Sequence, residues 1–91
     1  MGKLSTHVLD TMHGRPAAGM KIELRKPAET APLKMLLTNA DGRTDAPVLA
    51  PDEMAVGDYE LVFHVGDYFG ERAFLDVVPV RFRISDATAS Y

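Results

Sequence analysis

Histidines at positions 7, 13 and 64, and arginines such as those at 43, 81 and 83, are the side chains to weigh first for reaction chemistry in this sequence. An imidazole can carry a proton or a metal near neutral pH, and a guanidinium can hold electron-rich oxygens. As a metal set the histidines fail on spacing. His7 lies mid-strand, His13 in a turn and His64 on a distant strand, without the close pairing that builds a local site or an acidic cluster to complete one. There is no glycine-rich phosphate loop, no G-x-S-x-G elbow and no local Ser/His/Asp spacing. Taken singly, each residue has a plain structural reading. His13 suits a turn, His64 an outward strand position and Arg43 a solvated site after a turn, while Arg81 and Arg83 suit a wet strand face. His7 at mid-strand also has one, as a packed or surface residue, but its place at the centre of a half-apolar strand raises a question.

His7 sits at the centre of "LSTHVLD" (Leu4 to Asp10), an extended run whose alternation puts Leu4, Thr6, Val8 and Asp10 on one face. Ser5, His7 and Leu9 take the other. A turn cluster, "HGRPAAG", follows, and "MKIELRK" (Met20 to Lys26) alternates as a half-buried strand. "LKMLLTN" (Leu33 to Asn39) is a third strand, and the Asp-Gly of "ADGR" predicts a tight turn after it. Thr44 to Leu49 reads as a short edge strand weakened by Pro47. Ala50 to Gly57 is a polar connection with room for one helical turn. Asp58 to Val65 and Val77 to Ser85 are strands, and Gly66 to Ala73 is a short helix with Asp67 as N-cap. Turn signals about every 8–12 residues predict an all-β, antiparallel sandwich with one short helix. Its expected core is Val8, Ile22, Leu24, Leu36, Leu61, Phe63, Val80 and Phe82.

With 91 residues, 46% of them hydrophobic and 25% charged, the chain is sized for a single domain, 1–91. A net charge of −3 without a basic cluster argues against nucleic acid or an anionic membrane surface as partner. The absence of cysteine excludes a disulfide framework and a zinc–thiolate site. No apolar run reaches membrane-spanning length, and the first residues lack the apolar centre of a secretory signal, so the expected location is the cytoplasm.

The segments "LSTHVLDTMHGRPAAG", "NADGRTDAP", "GDYELVFHVGDYF" and "FLDVVPVRFRI" resemble, in order and spacing, the 5-hydroxyisourate hydrolases of the transthyretin-related family. The resemblance covers essentially all of residues 3 to 91. It implies a transthyretin-like sandwich that assembles as a homotetramer, with active sites in a channel between facing subunits. It also implies a small purine-like substrate and no metal or organic cofactor. The hormone carrier of the superfamily has a lysine at the His7 position and an acidic residue at the Arg43 position, so these two residues place the chain with the hydrolases. The resemblance turns His7 outward into the channel, brings Arg43 beside it and makes Leu9 part of the apolar wall. His7 is then the base that takes a proton from water, and Arg43 binds the ring oxygens and holds developing charge.

Relatives continue beyond the Tyr91 position with a His-Val-Pro-Leu-Leu strand and end on Tyr-Arg-Gly-Ser, segments that supply a further site histidine. The resemblance therefore implies a C-terminally truncated sandwich, in which the first strand lacks one neighbour. The 91 residues alone are expected to be aggregation-prone, strand-swapped or poorly folded, and to turn over weakly or not at all. The alternative function is a non-catalytic transthyretin-like binding module that docks a partner strand on the open sheet. A carrier role is the weakest, because His7 stands where the carrier has lysine.

Overall fold

Alternation along the strands decides where the core lies. In the computed structural model, which describes residues 2–70 and 76–91, Leu9–Asp10 (β1) and Arg15–Pro16 (β2) form a two-residue antiparallel ladder. Strands Lys21–Arg25 (β3), Lys34–Leu37 (β4), Gly57–Phe63 (β5) and Val78–Ile84 (β6) form an antiparallel sheet in the order β4-β3-β5-β6. The register sets Ile22 opposite both Leu36 and Phe63, Leu24 opposite Leu61, and Tyr59 opposite Phe82. These residues share one face. Leu4, Val48 and Leu49 cover that face from the second layer, burying Ile22, Leu24, Val48 and Ile84 completely. Each such aliphatic side chain contributes roughly 1.5–3 kcal/mol.

Val8, Leu36, Phe63 and Phe82 pack at the margin of this core, as expected. Val80 does not belong to it. It faces the core side opposite Leu61 but is 45% exposed, because the covering residues reach Ile84 at one end of β6 and stop short of Val80.

The first and fourth expected strands are not continuous ladders. Leu4 pairs with Leu49 and His7 with Arg43 as isolated antiparallel bridges, and only Leu9–Asp10 is regular strand. The physical reason is a change of partner every few residues. Leu4 exchanges hydrogen bonds with Leu49, Ser5 donates to the Tyr91 carbonyl, and Val8 donates to Gly42 while accepting from Ala17. Between the two bridges, Thr44 donates through its hydroxyl to the Ala46 carbonyl, and Pro47 has no amide to offer. The alternation of faces survives: Leu4 and Asp10 are buried, whereas Ser5, His7 and Leu9 are exposed.

The expected helical turn in the polar connection is the 3-10 turn Pro51–Glu53. Lys34 reaches across to it, donating to the Val48 carbonyl at 3.0 Å and to Glu53 at 2.7 Å. The bond from Lys34, with a second from the Ala50 amide, lowers the Glu53 pKa. The helix spans Val65–Phe69 (α1), with His64 rather than Asp67 at the N-cap position. It stops because Gly70 adopts the left-handed conformation (φ 75°) and donates back to Gly66. The rest of the expected helix, 71–73, lies outside the described residues.

Two polar contacts tie distant segments together. Thr38, 5% exposed, donates to the Ala17 carbonyl at 2.5 Å and accepts from the Met20 amide at 2.8 Å. Asp10, 4% exposed, accepts from the His13 amide at 3.0 Å, the His13 Nδ1 at 2.7 Å and the Tyr68 hydroxyl of α1 at 2.8 Å. Burial opposes ionisation of this carboxylate, but the three donors outweigh it and hold its pKa at about 2. The same hydrogen bond raises the Tyr68 pKa.

Thr38→Val keeps the side-chain volume but leaves the Ala17 carbonyl and the Met20 amide unsatisfied. Chemical denaturation should show a loss of about 2–4 kcal/mol, given 1–3 kcal/mol for each buried orphan group. For Asp10, the folded pKa of about 2 lies below the ordinary 3.8. Its contribution is therefore complete above about pH 4 and disappears as pH falls toward 2. Melting temperatures measured across that window should fall more steeply for the wild type than for Asp10→Asn.

Candidate active site

The tight turn after β4 is built by one side chain. The Asn39 Oδ1 accepts from the Asp41 amide at 2.9 Å and the Arg43 amide at 3.3 Å, while its Nδ2 donates to Asp45 at 3.0 Å. The backbone closes the turn, with the Asn39 amide donating to the Arg43 carbonyl and the Gly42 amide to the Asn39 carbonyl. Gly42 has φ 76°, a conformation that favours glycine, and is packed against the first strand. A Cβ at this position would collide with the Val8 carbonyl oxygen. The absence of a side chain lets Val8 donate to the Gly42 carbonyl at 2.8 Å. One residue to either side, His7 and Arg43 then face each other as a bridge pair.

His7 and Arg43 are both exposed and both line one open concavity of about 420 Å³. Lys3, Ser5, Asp45 and Tyr91 contribute to its walls. Two permanent cations, one imidazole and one carboxylate around a shallow polar hollow suit a small, electron-rich, neutral or anionic ring. Tyr91 is held at the rim through its backbone, donating to the Lys3 carbonyl at 2.9 Å and accepting from the Ser5 amide at 3.0 Å. Its phenol oxygen lies within hydrogen-bonding distance of the Ser85 hydroxyl and accepts from the Asp86 and Ser85 amides, which lowers its pKa.

The other sequence candidates lie elsewhere. Leu9 is 61% exposed on the His7 face but lines a neighbouring apolar depression of about 380 Å³ with Met12, Phe63, Phe69 and Val78. His13 belongs to the Asp10 cluster. His64 is not a simple outward residue. Its Nδ1 is 3.8 Å from Asp67, and its Nε2 is buried 3.5 Å from Glu23, without a hydrogen-bond partner among the described residues. Among those residues no three His, Cys, Asp or Glu side chains converge as a metal-holding group, and no helix is long and apolar enough to cross a membrane. Asn39 and Tyr91 were not singled out from sequence. The Asn-x-Asp-Gly spacing carries a local turn signal for Asn39, whereas Tyr91 reaches the site only through tertiary pairing.

Residues 4–91 match the family model described as the HIUase/Transthyretin family. The chain belongs to that family. It is 48% identical to the 5-hydroxyisourate hydrolase 2 of Rhizobium meliloti (strain 1021), an alignment covering 99% of this chain and 82% of the relative. The 5-hydroxyisourate hydrolase of Deinococcus radiodurans is 46% identical, with 97% and 81% covered. The solved structure of Klebsiella pneumoniae 5-hydroxyisourate hydrolase superposes with a TM-score of 0.82 at 31% identity, covering all of this chain and 84% of that one. The transthyretin-like antiparallel sandwich expected from the sequence is therefore the fold of this HIUase/transthyretin family member.

The close approach at Gly42 is open to direct test. Gly42→Ala should strain the turn and push it off the first strand, costing about 1–3 kcal/mol from backbone strain alone. Because the displaced turn carries Arg43, ligand affinity at the concavity should fall along with the melting temperature. Calorimetry and a binding titration measure the two effects separately.

Proposed function

We propose that the chain hydrolyses 5-hydroxyisourate to 2-oxo-4-hydroxy-4-carboxy-5-ureidoimidazoline, a step of urate and purine degradation, in the concavity lined by His7 and Arg43. One observation carries this reading. Two residues far apart in sequence form a bridge pair on the wall of one polar hollow, in a chain 48% identical to a protein named for this hydrolysis. The same likeness favours hydrolysis over a non-catalytic binding module.

The chemistry follows from the two groups. The His7 imidazole accepts a proton from a water molecule as the water oxygen attacks a carbonyl of the six-membered ring. Arg43, with Lys3 nearby, stabilises the oxyanion that develops. The oxyanion then collapses and the ring C–N bond breaks. Its electron pair goes to the ring nitrogen, which takes up the proton held by His7, and the carboxylic acid left behind gives its remaining proton to water. Water and side chains supply every atom and charge in this sequence, so the reading calls for no metal or organic cofactor. Leu9, on the same strand face as His7, lines the neighbouring apolar depression rather than this concavity. The working enzyme is a cytoplasmic homotetramer in which two such concavities face each other across a subunit interface.

The test is a rate assay following substrate absorbance. His7→Ala should lower kcat by about 10²–10⁴-fold with a smaller change in KM, as expected for loss of a general base. Arg43→Ala should lower kcat by about 10²–10³-fold and raise KM, because the cation serves both binding and charge stabilisation. Unchanged turnover in either variant removes that residue from the mechanism.

A further inference from the structure

A second concavity shares no lining residue with the first. It measures about 410 Å³ and is lined by Asp10, His13, Arg15, Pro16, Ala18, Ala40, Tyr68 and Phe69. It contains the histidine that the structure orients most firmly. The His13 Nδ1 lies 2.7 Å from the Asp10 Oδ2, with that carboxylate side chain 1% exposed and the His13 side chain 48% exposed. An ionised carboxylate can only accept, so Nδ1 carries a proton, and in the neutral form of the ring the Nε2 lone pair is left for a ligand. Asp10 points its oxygens at its three donors and its side chain is 1% exposed, so it makes no direct contact with a ligand in the hollow. The Arg15 guanidinium is close enough to the Tyr68 hydroxyl to affect its ionisation, placing a cation at the same rim. The Phe69 ring, 6.2 Å from the His13 ring, together with Pro16 and the methyls of Ala18 and Ala40 supplies apolar walls.

We propose that this hollow is a second ligand site, built for a planar heterocyclic carboxylate that carries a ring N–H. Each part of that description answers one group. The open His13 Nε2 accepts from the N–H, Arg15 takes the carboxylate, and Phe69 with Pro16 covers the faces of the ring. The Asp10 carboxylate positions the imidazole by fixing its tautomer and orientation, as carboxylate partners do for other working histidines. The site stands independently of the hydrolase reading, because neither His7 nor Arg43 contributes to it.

Orotate is a suitable probe, with uracil lacking the carboxylate and benzoate lacking the ring N–H. Amide NMR titration of the whole chain should give saturable shifts at Ala18, Ala40 and Phe69 with orotate. Uracil and benzoate should each bind about tenfold or more weakly. Arg15→Ala alters an exposed residue and should weaken orotate by about tenfold, while His7→Ala should leave its affinity at these amides unchanged. His13→Gln, with its fold checked by the same spectrum, should remove the preference for orotate over benzoate. Shifts confined to the His7–Arg43 concavity, no saturation by about 10 mM, where binding free energy falls below about 3 kcal/mol, or equal affinity for all three probes would overturn the proposal.

Discussion

The 2.8 Å hydrogen bond from the Val8 amide to the Gly42 carbonyl is the contact on which the rest of the molecule turns. It joins the first strand to the turn after β4, two segments with no local reason to meet. On one side of it, Val8 packs against the margin of the core. On the other, His7 and Arg43 become cross-strand neighbours. The bond forms because position 42 has no side chain and tolerates a positive φ. A single backbone approach therefore couples packing to the chemistry of the site.

Around this contact the molecule divides its polar groups between two roles. On the outer face of the four-stranded sheet, Arg81 pairs with Glu60 at 2.9 Å and Arg25 with Glu23 at 3.0 Å. Pairs with an exposed member, such as Arg81 with Glu60, contribute little to stability but favour the observed register over slipped alternatives. The buried groups matter more. Asp10 and Thr38 each satisfy several partners from different segments, so both connect elements that apolar packing alone would leave free to slide. A carboxylate is tolerated in the Asp10 position because three donors converge on it.

The two concavities hold their histidines differently. His7 stands on an exposed strand face beside Arg43, where a small ring can reach both residues. His13 stands in a turn, with one nitrogen committed to a buried carboxylate. Exposure suits His7 to the proton exchange proposed for it, and fixed orientation suits His13 to the recognition proposed for it.

Alternation along the chain was enough to assign residues to faces. Leu4, Val8 and Asp10 inward against Ser5, His7 and Leu9 outward is a direct consequence of the period-2 strand, and so is the Ile22–Leu24–Leu61 core. The sequence motifs also made the His7 and Arg43 candidates legible, and the family to which they belong. Only the tertiary structure decided which segments pair, that Val80 stays wet, that Leu9 and His7 line different hollows, and that His13 lies against Asp10 and Tyr68. Side-chain period is a local property of an extended chain. Partner choice is settled by long-range hydrogen bonding and packing between residues dozens of positions apart, which no local pattern records.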